Sequence, residues 1–340
     1  MKGFGSDNHS GVHPELLAAV INANVDHAPS YGTDIFTAEA NKKFKSHFGE
    51  SCSVYFVFNG TAANALALQS LIKRHQAIFC TDISHLNRDE CGAPEFFAGK
   101  LLTLPHENGK LTVEILKNAY IRRGDQHYSQ AKVVSLTQPT ELGTCYSLSE
   151  IKDIADWAHS QNLYVHIDGA RLTNAVHFLK TSFKEMTTDQ GVDIVSFGGT
   201  KNGLMMGEAI LVLNSKLADD LKYIRKQAGQ LPSKTRFIAA QFSRYLTDDL
   251  YKKIANHSCS MAQLLFENLQ SLPQIKITQP RQSNAVFAII PQPWVKILRE
   301  KYFFYVWDEK TFECRLMTTW DTTTTEITEF TKLIRQLAVN

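Results

Sequence analysis

The sequence predicts an α/β protein: a mostly parallel sheet sandwiched by helices in a large domain over residues 1–235, and a smaller C-terminal α+β domain over 236–340. Three observations predict it. Short, almost continuously apolar runs alternate with helix-period segments, the pattern of parallel strands covered on both faces. Several of those runs end in glycine-rich or polar loops, where open α/β sheets bind ligands. Past about residue 233 the alternation stops, and long helical periodicity is followed by strands and helices in a different order.

At the N-terminus, residues 1–12 are an extended polar lead-in, and PELLAAVINA, 14–23, is a helix begun by proline. Thr33 or Asp34 caps a second helix, over 37–48, which is stopped by Gly49. SVYFVF, 53–58, is a buried strand running through Asn59-Gly60-Thr61 into a helix over 62–73. That geometry offers free backbone N–H groups to an anion, with Gly60 allowing close approach and Thr61 adding a hydroxyl; it is equally the form of a plain capped connection. No P-loop is present, because no Gly-Lys-Ser/Thr follows.

QAIFC, 76–80, is the next strand, and a helix begins near Asn87, so His85 sits at a strand-to-helix junction on the same edge as Gly60. Strands over 100–104 and 132–136 flank a helix over 112–120 capped by Thr112. The loop TQPTELGTCYS comes after them, with Gln138 near its start, and Ser149 caps the next helix.

YVHIDGAR then carries a short apolar strand to Asp168, Gly169, Ala170 and Arg171. DIVSFGGTKNG carries another to Gly198, Gly199, Thr200 and Lys201. GEAILVLN is a strand and 216–228 a helix. Beyond it, 236–272 is helical with a break inside, 284–290, 303–307 and 314–319 are strands, and 324–337 is the last helix. Gly60, His85, Gln138, Asp168 and Lys201 therefore converge on one sheet edge.

An acid at one strand end and a lysine past another suit a cationic ring cofactor. Asp168 would hold the protonated ring nitrogen of pyridoxal 5'-phosphate, and Lys201 would form the imine with its aldehyde. Alone, each is as easily an Asp-Gly turn or a solvated loop lysine.

Composition narrows the classes. With 36 Lys and Arg against 34 Asp and Glu, the net charge is +2 and no block of like charge appears, so neither nucleic acid nor a membrane surface is expected as a partner. No apolar run approaches a membrane span, and the polar N-terminus lacks the apolar core of a signal peptide, so a cytoplasmic location is expected. The six cysteines form no CxxC pair and read as reduced thiols. His85 and Cys91 lie near each other without a second spaced pair, so no metal site is expected.

Together HIDGAR, the small-residue loop carrying Lys201, NGT after an early strand, SDN near the start and YGTD resemble the low-specificity L-threonine aldolases. The resemblance covers nearly the whole chain, and HIDGAR is its most specific element. It implies a pyridoxal-phosphate lyase with the aspartate-aminotransferase type of fold that cleaves L-threonine or L-allo-threonine to glycine and acetaldehyde. It further implies that Lys201 carries the cofactor, Asp168 binds the ring nitrogen, Gly60 and Thr61 hold the phosphate, and His85 stacks on the ring. Arg171, Ser6 and Arg315 would bind the substrate carboxylate, Lys234 would reach a neighbour's phosphate, and the chain would form a homo-oligomer, a dimer or tetramer, with shared active sites. The chain departs from the family where TQPTE replaces a histidine-bearing loop, leaving Thr140 near the histidine's place. It departs again at Thr319, where some members have histidine, and at Thr200, where serine is commoner. The base for the β-hydroxyl proton stays open between His85 and a water that it orients. Two rivals keep the same cofactor residues: another lyase that eliminates a β-substituent of an amino acid, and a non-catalytic module of this fold.

Overall fold

The computed structural model describes residues 3–217 and 219–339. Helices α1 (Pro14–Asn22) and α2 (Ile35–Phe48) precede the sheet. The large unit continues through β1 (Ser53–Val57), α3 (Gly60–Leu71), β2 (Gln76–Thr81), α4 (His85–Arg88), α5 (Ala93–Phe97) and β3 (Lys100–Leu104). Next come α6 (Val113–Ala119), β4 (Gln130–Thr137), α7 (Leu148–Ser160), β5 (Tyr164–Gly169), α8 (Leu172–Leu179) and α9 (Phe183–Met186). β6 (Ile194–Phe197), β7 (Glu208–Val212) and α10 (Leu221–Gln227) complete its alternation. After α11 (Arg236–Tyr245) and α12 (Leu250–Gln270) come β8 (Lys276–Ile277), β9 (Ala285–Ile289), α13 (Gln292–Lys301), β10 (Tyr305–Asp308), β11 (Glu313–Met317) and α14 (Thr324–Val339).

The large sheet has seven strands in the order β1-β7-β6-β5-β4-β2-β3. It is mostly parallel as expected, and β7 alone runs antiparallel to both its neighbours, β1 and β6. The small sheet is antiparallel, in the order β10-β11-β9-β8.

Strand alternation divides the large core into two faces. Val165 and Ile167 of β5, Val195 and Phe197 of β6, and Leu211 of β7 pack under α2, α8 and α9. Ile194, Ile210 and Ile78 point the other way, onto α3. On the first face an aromatic cluster stacks Phe48 on Phe183, ring centroids 5.0 Å apart, and Phe56 on Phe242 at 5.4 Å. The small unit has its own core, in which Phe4 from the N-terminal segment joins Leu265, Val286, Leu316 and Phe330.

Three details differ from the sequence reading. α7 is capped by Ser147, not Ser149: Ser147 and Glu150 form a complete capping box, which a start two residues later had hidden. The segment expected as one helix over 216–228 forms a 3-10 turn at Ser215–Leu217 and then the shorter α10. The expected boundary at 235/236 falls ahead of α11, yet Ile238, Phe242 and Tyr245 pack in the large core, and side chains of the small core begin within α12 at Ala262.

Phe183 sits at the centre of the aromatic cluster, 1% exposed. Phe183→Ala is expected to lower stability by about 3–5 kcal/mol, the cost of a large buried cavity, read as a fall in the urea midpoint.

Candidate active site

The loops after β1, β2, β4, β5 and β6 meet residues of the small sheet around a cavity of about 510 Å³. Gly60, Thr61, His85, Asp168, Arg171, Lys201 and Arg315 all line it. Ser6, Lys234 and Gln138 do not. Ser6 caps the N-terminal 3-10 turn Asp7–His9, accepting a hydrogen bond from the Asn8 N–H, and faces a separate depression beside Phe303 and Thr319. Lys234 is exposed ahead of α11. Gln138 is buried against Tyr146, donating to its carbonyl at 2.9 Å and accepting from its N–H at 2.9 Å. It braces the loop from within, while its neighbours Thr137, Pro139, Thr140 and Glu141 line the cavity.

Asp168 is the buried charge at the centre. Its Oδ2 accepts from Asn64 Nδ2 at 2.9 Å and its Oδ1 from the Ala170 N–H at 3.0 Å. Burial opposes the charge, but His85, Lys201 and the Asn64 hydrogen bond outweigh it and hold the carboxyl below its ordinary range. Two residues earlier on the same strand face, His166 bridges the hydroxyls of Ser135 and Ser196 at 2.8 and 3.0 Å. Burial pushes His166 down to about 4, so it stays neutral beside the anion.

Lys201 lies in the 3-10 turn Thr200–Asn202 after β6. Contacts fix that turn. A Cβ on Gly198 would stand 2.1 Å from the Ala170 carbonyl, and one on Gly199 would stand 2.5 Å from the Gly207 carbonyl. Glu208, at the start of β7, accepts from the Gly199 N–H. The Arg171 charge and then burial lower the Lys201 amine from its usual range, favouring the neutral, nucleophilic form. Among the described residues its Nζ has no hydrogen-bond partner.

His85 opens α4. Its Nδ1 lies 2.7 Å from Oε1 of the buried Glu90, and its backbone N–H donates to Oε1 of Glu141 at 2.8 Å. Glu141 and Glu208 are both pushed up to about 7 by burial, so each holds a proton part of the time near neutrality.

The two arginines differ. Arg171 makes a two-pronged ion pair with buried Asp7, Nε to Oδ2 and Nη2 to Oδ1, both 2.7 Å. Burial works against its charge and Asp7 more than restores it, so its pKa is raised. Arg315, on β11, has no carboxylate partner among the described residues. It lies over Trp307 at 4.9 Å and Tyr305 at 5.7 Å, and its buried Nε is unbonded. Burial, then Arg171, brings it down to about 10.

These residues fit pyridoxal phosphate. The ionised Asp168 suits a protonated ring nitrogen, and the Lys201 amine is free. α3 presents its N-terminus with Asn59 capping Ala62 at 2.9 Å and the N–H groups of Gly60 and Thr61 unpartnered among the described residues. Nothing lies within 4 Å of where a Gly60 Cβ would stand, which leaves room for a phosphate.

Fold and site together define a pyridoxal-phosphate-dependent lyase. Residues 3–292 match the beta-eliminating lyase family, and the chain belongs to that family. It is 42% identical over 335 residues to the low specificity L-threonine aldolase of Pseudomonas aeruginosa, covering 98% of this chain and 96% of that one. It is equally similar, 42% over 334 residues, to the low specificity L-threonine aldolase of a Pseudomonas species, with 98% and 96% covered. The solved structure of Leishmania major threonine aldolase superposes with a TM-score of 0.93 at 28% identity, covering 99% of each chain.

The site also holds residues that the motifs did not single out: Asp7, Asn64, Glu90, Glu141, Glu208 and Asn284. SDN contains Asp7 and TQPTE contains Glu141, so both lay inside noted motifs without an assigned contact. Asn64 carried one usable signal, an amide four residues beyond Gly60 on a helix otherwise lined with alanine and leucine.

Asp168→Asn is expected to keep the Asn64-side geometry and lose the charge. Turnover should fall on the order of a hundredfold or more, measured as steady-state kcat with circular dichroism confirming the fold; near-normal kcat would make Asp168 a turn residue only.

Proposed function

We propose that this chain cleaves the Cα–Cβ bond of L-threonine and L-allo-threonine, releasing glycine and acetaldehyde. The observation that carries this is Arg315: a part-buried guanidinium with a buried, unbonded Nε and no carboxylate partner among the described residues, in the same cavity as the free Lys201 amine and the ionised Asp168. A cation in that state is a seat for a substrate carboxylate. The relatives named threonine aldolases support the choice of bond and substrate.

Bound pyridoxal phosphate supplies an electron sink for the electrons of the broken bond. Asp168 keeps a proton on the ring nitrogen, because the opposite charges favour each other. The N–H groups of Gly60 and Thr61 hold the phosphate at the helix N-terminus. Arg315 and Arg171 fix the substrate carboxylate, and that clamp decides which bond at Cα stands in position to break. Ser6 acts one step back, capping the turn that places Asp7 against Arg171.

A second copy completes the site in this reading. Phe58 and Met206 line the cavity while 40% and 46% exposed, and Ile21 and Ile35 expose apolar surface at 63% and 76%. Lys234 would reach a neighbour's phosphate from its exposed position. A cytoplasmic location belongs to the same reading: the six cysteines are free thiols and five of them are buried. Among the described residues no helix is long and apolar enough to cross a membrane.

One assay tests the reaction. The cofactor-loaded protein should convert L-threonine or L-allo-threonine to glycine and acetaldehyde in equal amounts. The family's name favours a second reading, β-elimination, which would give ammonia and a keto acid instead; threonine, phenylserine, serine and tyrosine assayed for both product pairs separate the two. Light scattering should report a dimer or tetramer, and a fully active monomer at assay dilution would remove the shared site.

A further inference from the structure

The cavity contains a costly feature that cofactor binding leaves unexplained. Glu90 has a side chain with no exposed surface, and its Oε1 is bonded to His85 Nδ1 and Asn64 Nδ2, both at 2.7 Å. Its Oε2 is buried and bonded to nothing among the described residues. Burying a carboxyl this way is unfavourable unless something depends on it. A histidine kept only for its flat face needs no buried carboxyl behind its ring.

We propose that Glu90 is the positioning residue of a His85–Glu90 pair in which His85 Nε2 takes the β-hydroxyl proton of the substrate and gives it back. The inference rests on the Cα–Cβ cleavage proposed above. With its Nδ1–H donated to Glu90, a neutral imidazole has its lone pair on Nε2. The His85 side chain is 37% exposed, in the cavity wall, and Nε2 has no hydrogen-bond partner among the described residues. Glu141 fixes the same residue from behind through the His85 backbone N–H. This is the arrangement of a base oriented by a carboxylate.

The step balances. The hydroxyl proton moves to Nε2, and the O–H electron pair becomes the second C=O bond of the leaving aldehyde. The Cα–Cβ pair stays with the glycine half, and the proton is returned at its Cα. Glu90 offsets the imidazolium charge in between.

Asn64 makes the arrangement possible beside Asp168. Its amide spends one hydrogen on Glu90 Oε1 and the other on Asp168 Oδ2, so neither carboxyl takes the other's proton. The groups facing His85 are Glu90 on its own segment, Asp168 after β5 and Lys201 after β6, with Glu141 at its backbone and Asp89 on the cavity wall. The Glu90 hydrogen bond, with Asp168, raises His85 above its ordinary range against burial and Lys201; burial raises Glu90. Both members thus lean toward holding a proton, as a pair that must accept one requires.

The test is Glu90→Gln, which keeps an oxygen for Nδ1–H but removes the charge. NMR of carbon-labelled histidine, with the His85 signal assigned by its loss in His85→Asn, gives the midpoint in both cofactor-free and loaded protein. In E90Q the His85 midpoint should fall by about one pH unit or more. Because Nε2 must be unprotonated to act, the acid limb of kcat/KM should move to lower pH with it, and kcat should drop as the base weakens. Glu90→Asp should restore the raised midpoint. An unchanged midpoint in folded E90Q overturns the proposal. Should E90Q not fold, the wild-type chain still decides: a His85 midpoint below the free value of about 6.5 overturns it, and one above supports it. Absence of glycine and acetaldehyde from the wild-type protein would strike the cleavage reading, while the titration judges Glu90 separately.

Discussion

The charge buried on Asp168 constrains everything around it. A carboxylate in a protein interior persists only when hydrogen bonds and opposite charges replace its lost hydration. Strand parity dictates where those must come from. β5 turns Val165 and Ile167 toward one layer, leaving His166 and Asp168 facing the layer that contains α3. His166 is satisfied as a neutral ring between two serines. Asp168 draws on Asn64 of α3, on His85 and on Lys201, one from each of three different connections. α3 reaches it because its inward positions are small: Ala63 and Ala67 let the helix lie close to the sheet.

The lysine is held by a different kind of constraint. Its loop passes between two backbone segments with no space for a side chain at Gly198 or Gly199. Glu208 fastens the same loop by accepting the Gly199 N–H, and it sits at the start of the one antiparallel strand. Reversal of β7 therefore brings its first residue, and not its last, to the edge where the parallel strands end. Burial leaves Glu208 partly protonated near neutrality, so the site carries less negative charge than its count of acids suggests.

Range along the chain decides which of these features are legible in the sequence. The strand–helix alternation and the positions of Gly60, Asp168 and Lys201 are local signals: an apolar run, then glycine, then a functional group. Asn64 and Asp7 are not local. Asn64 meets Asp168 across 104 residues and Arg171 meets Asp7 across 164, and nothing in either neighbourhood announces the partner. Gln138 shows the same limit, since it lies at the strand end as expected but its side chain does not line the cavity. Its position at a strand end is legible, but the direction of its amide depends on Tyr146, beyond the turn. The direction of β7 is not a local property either, since an apolar strand reads alike in both senses.

The proposed carboxylate seat lies where the two cores meet, and this accounts for the unequal arginines. Asn284, buried just before β9, donates to Asp7 Oδ2 at 3.1 Å and to the Thr318 carbonyl at 2.7 Å, and accepts from Asn174 of α8 at 2.9 Å. One side chain thus ties the N-terminal turn, the large unit and the small sheet together directly behind the Asp7–Arg171 pair. Arg171 is committed to that junction and presents a guanidinium whose orientation is already fixed. Arg315 lies on two aromatic faces and donates from Nη2 to the Gly5 carbonyl at 3.4 Å, with no carboxylate partner among the described residues, so in the proposed reaction an incoming carboxylate would gain most of its new ion-pairing there. In that proposal, a substrate anion between them would neutralise the mutual repulsion that Arg171 and Arg315 otherwise carry. Binding of that kind would couple the small unit to the large one through charge, at the point where the proposed cleavage needs the bond oriented.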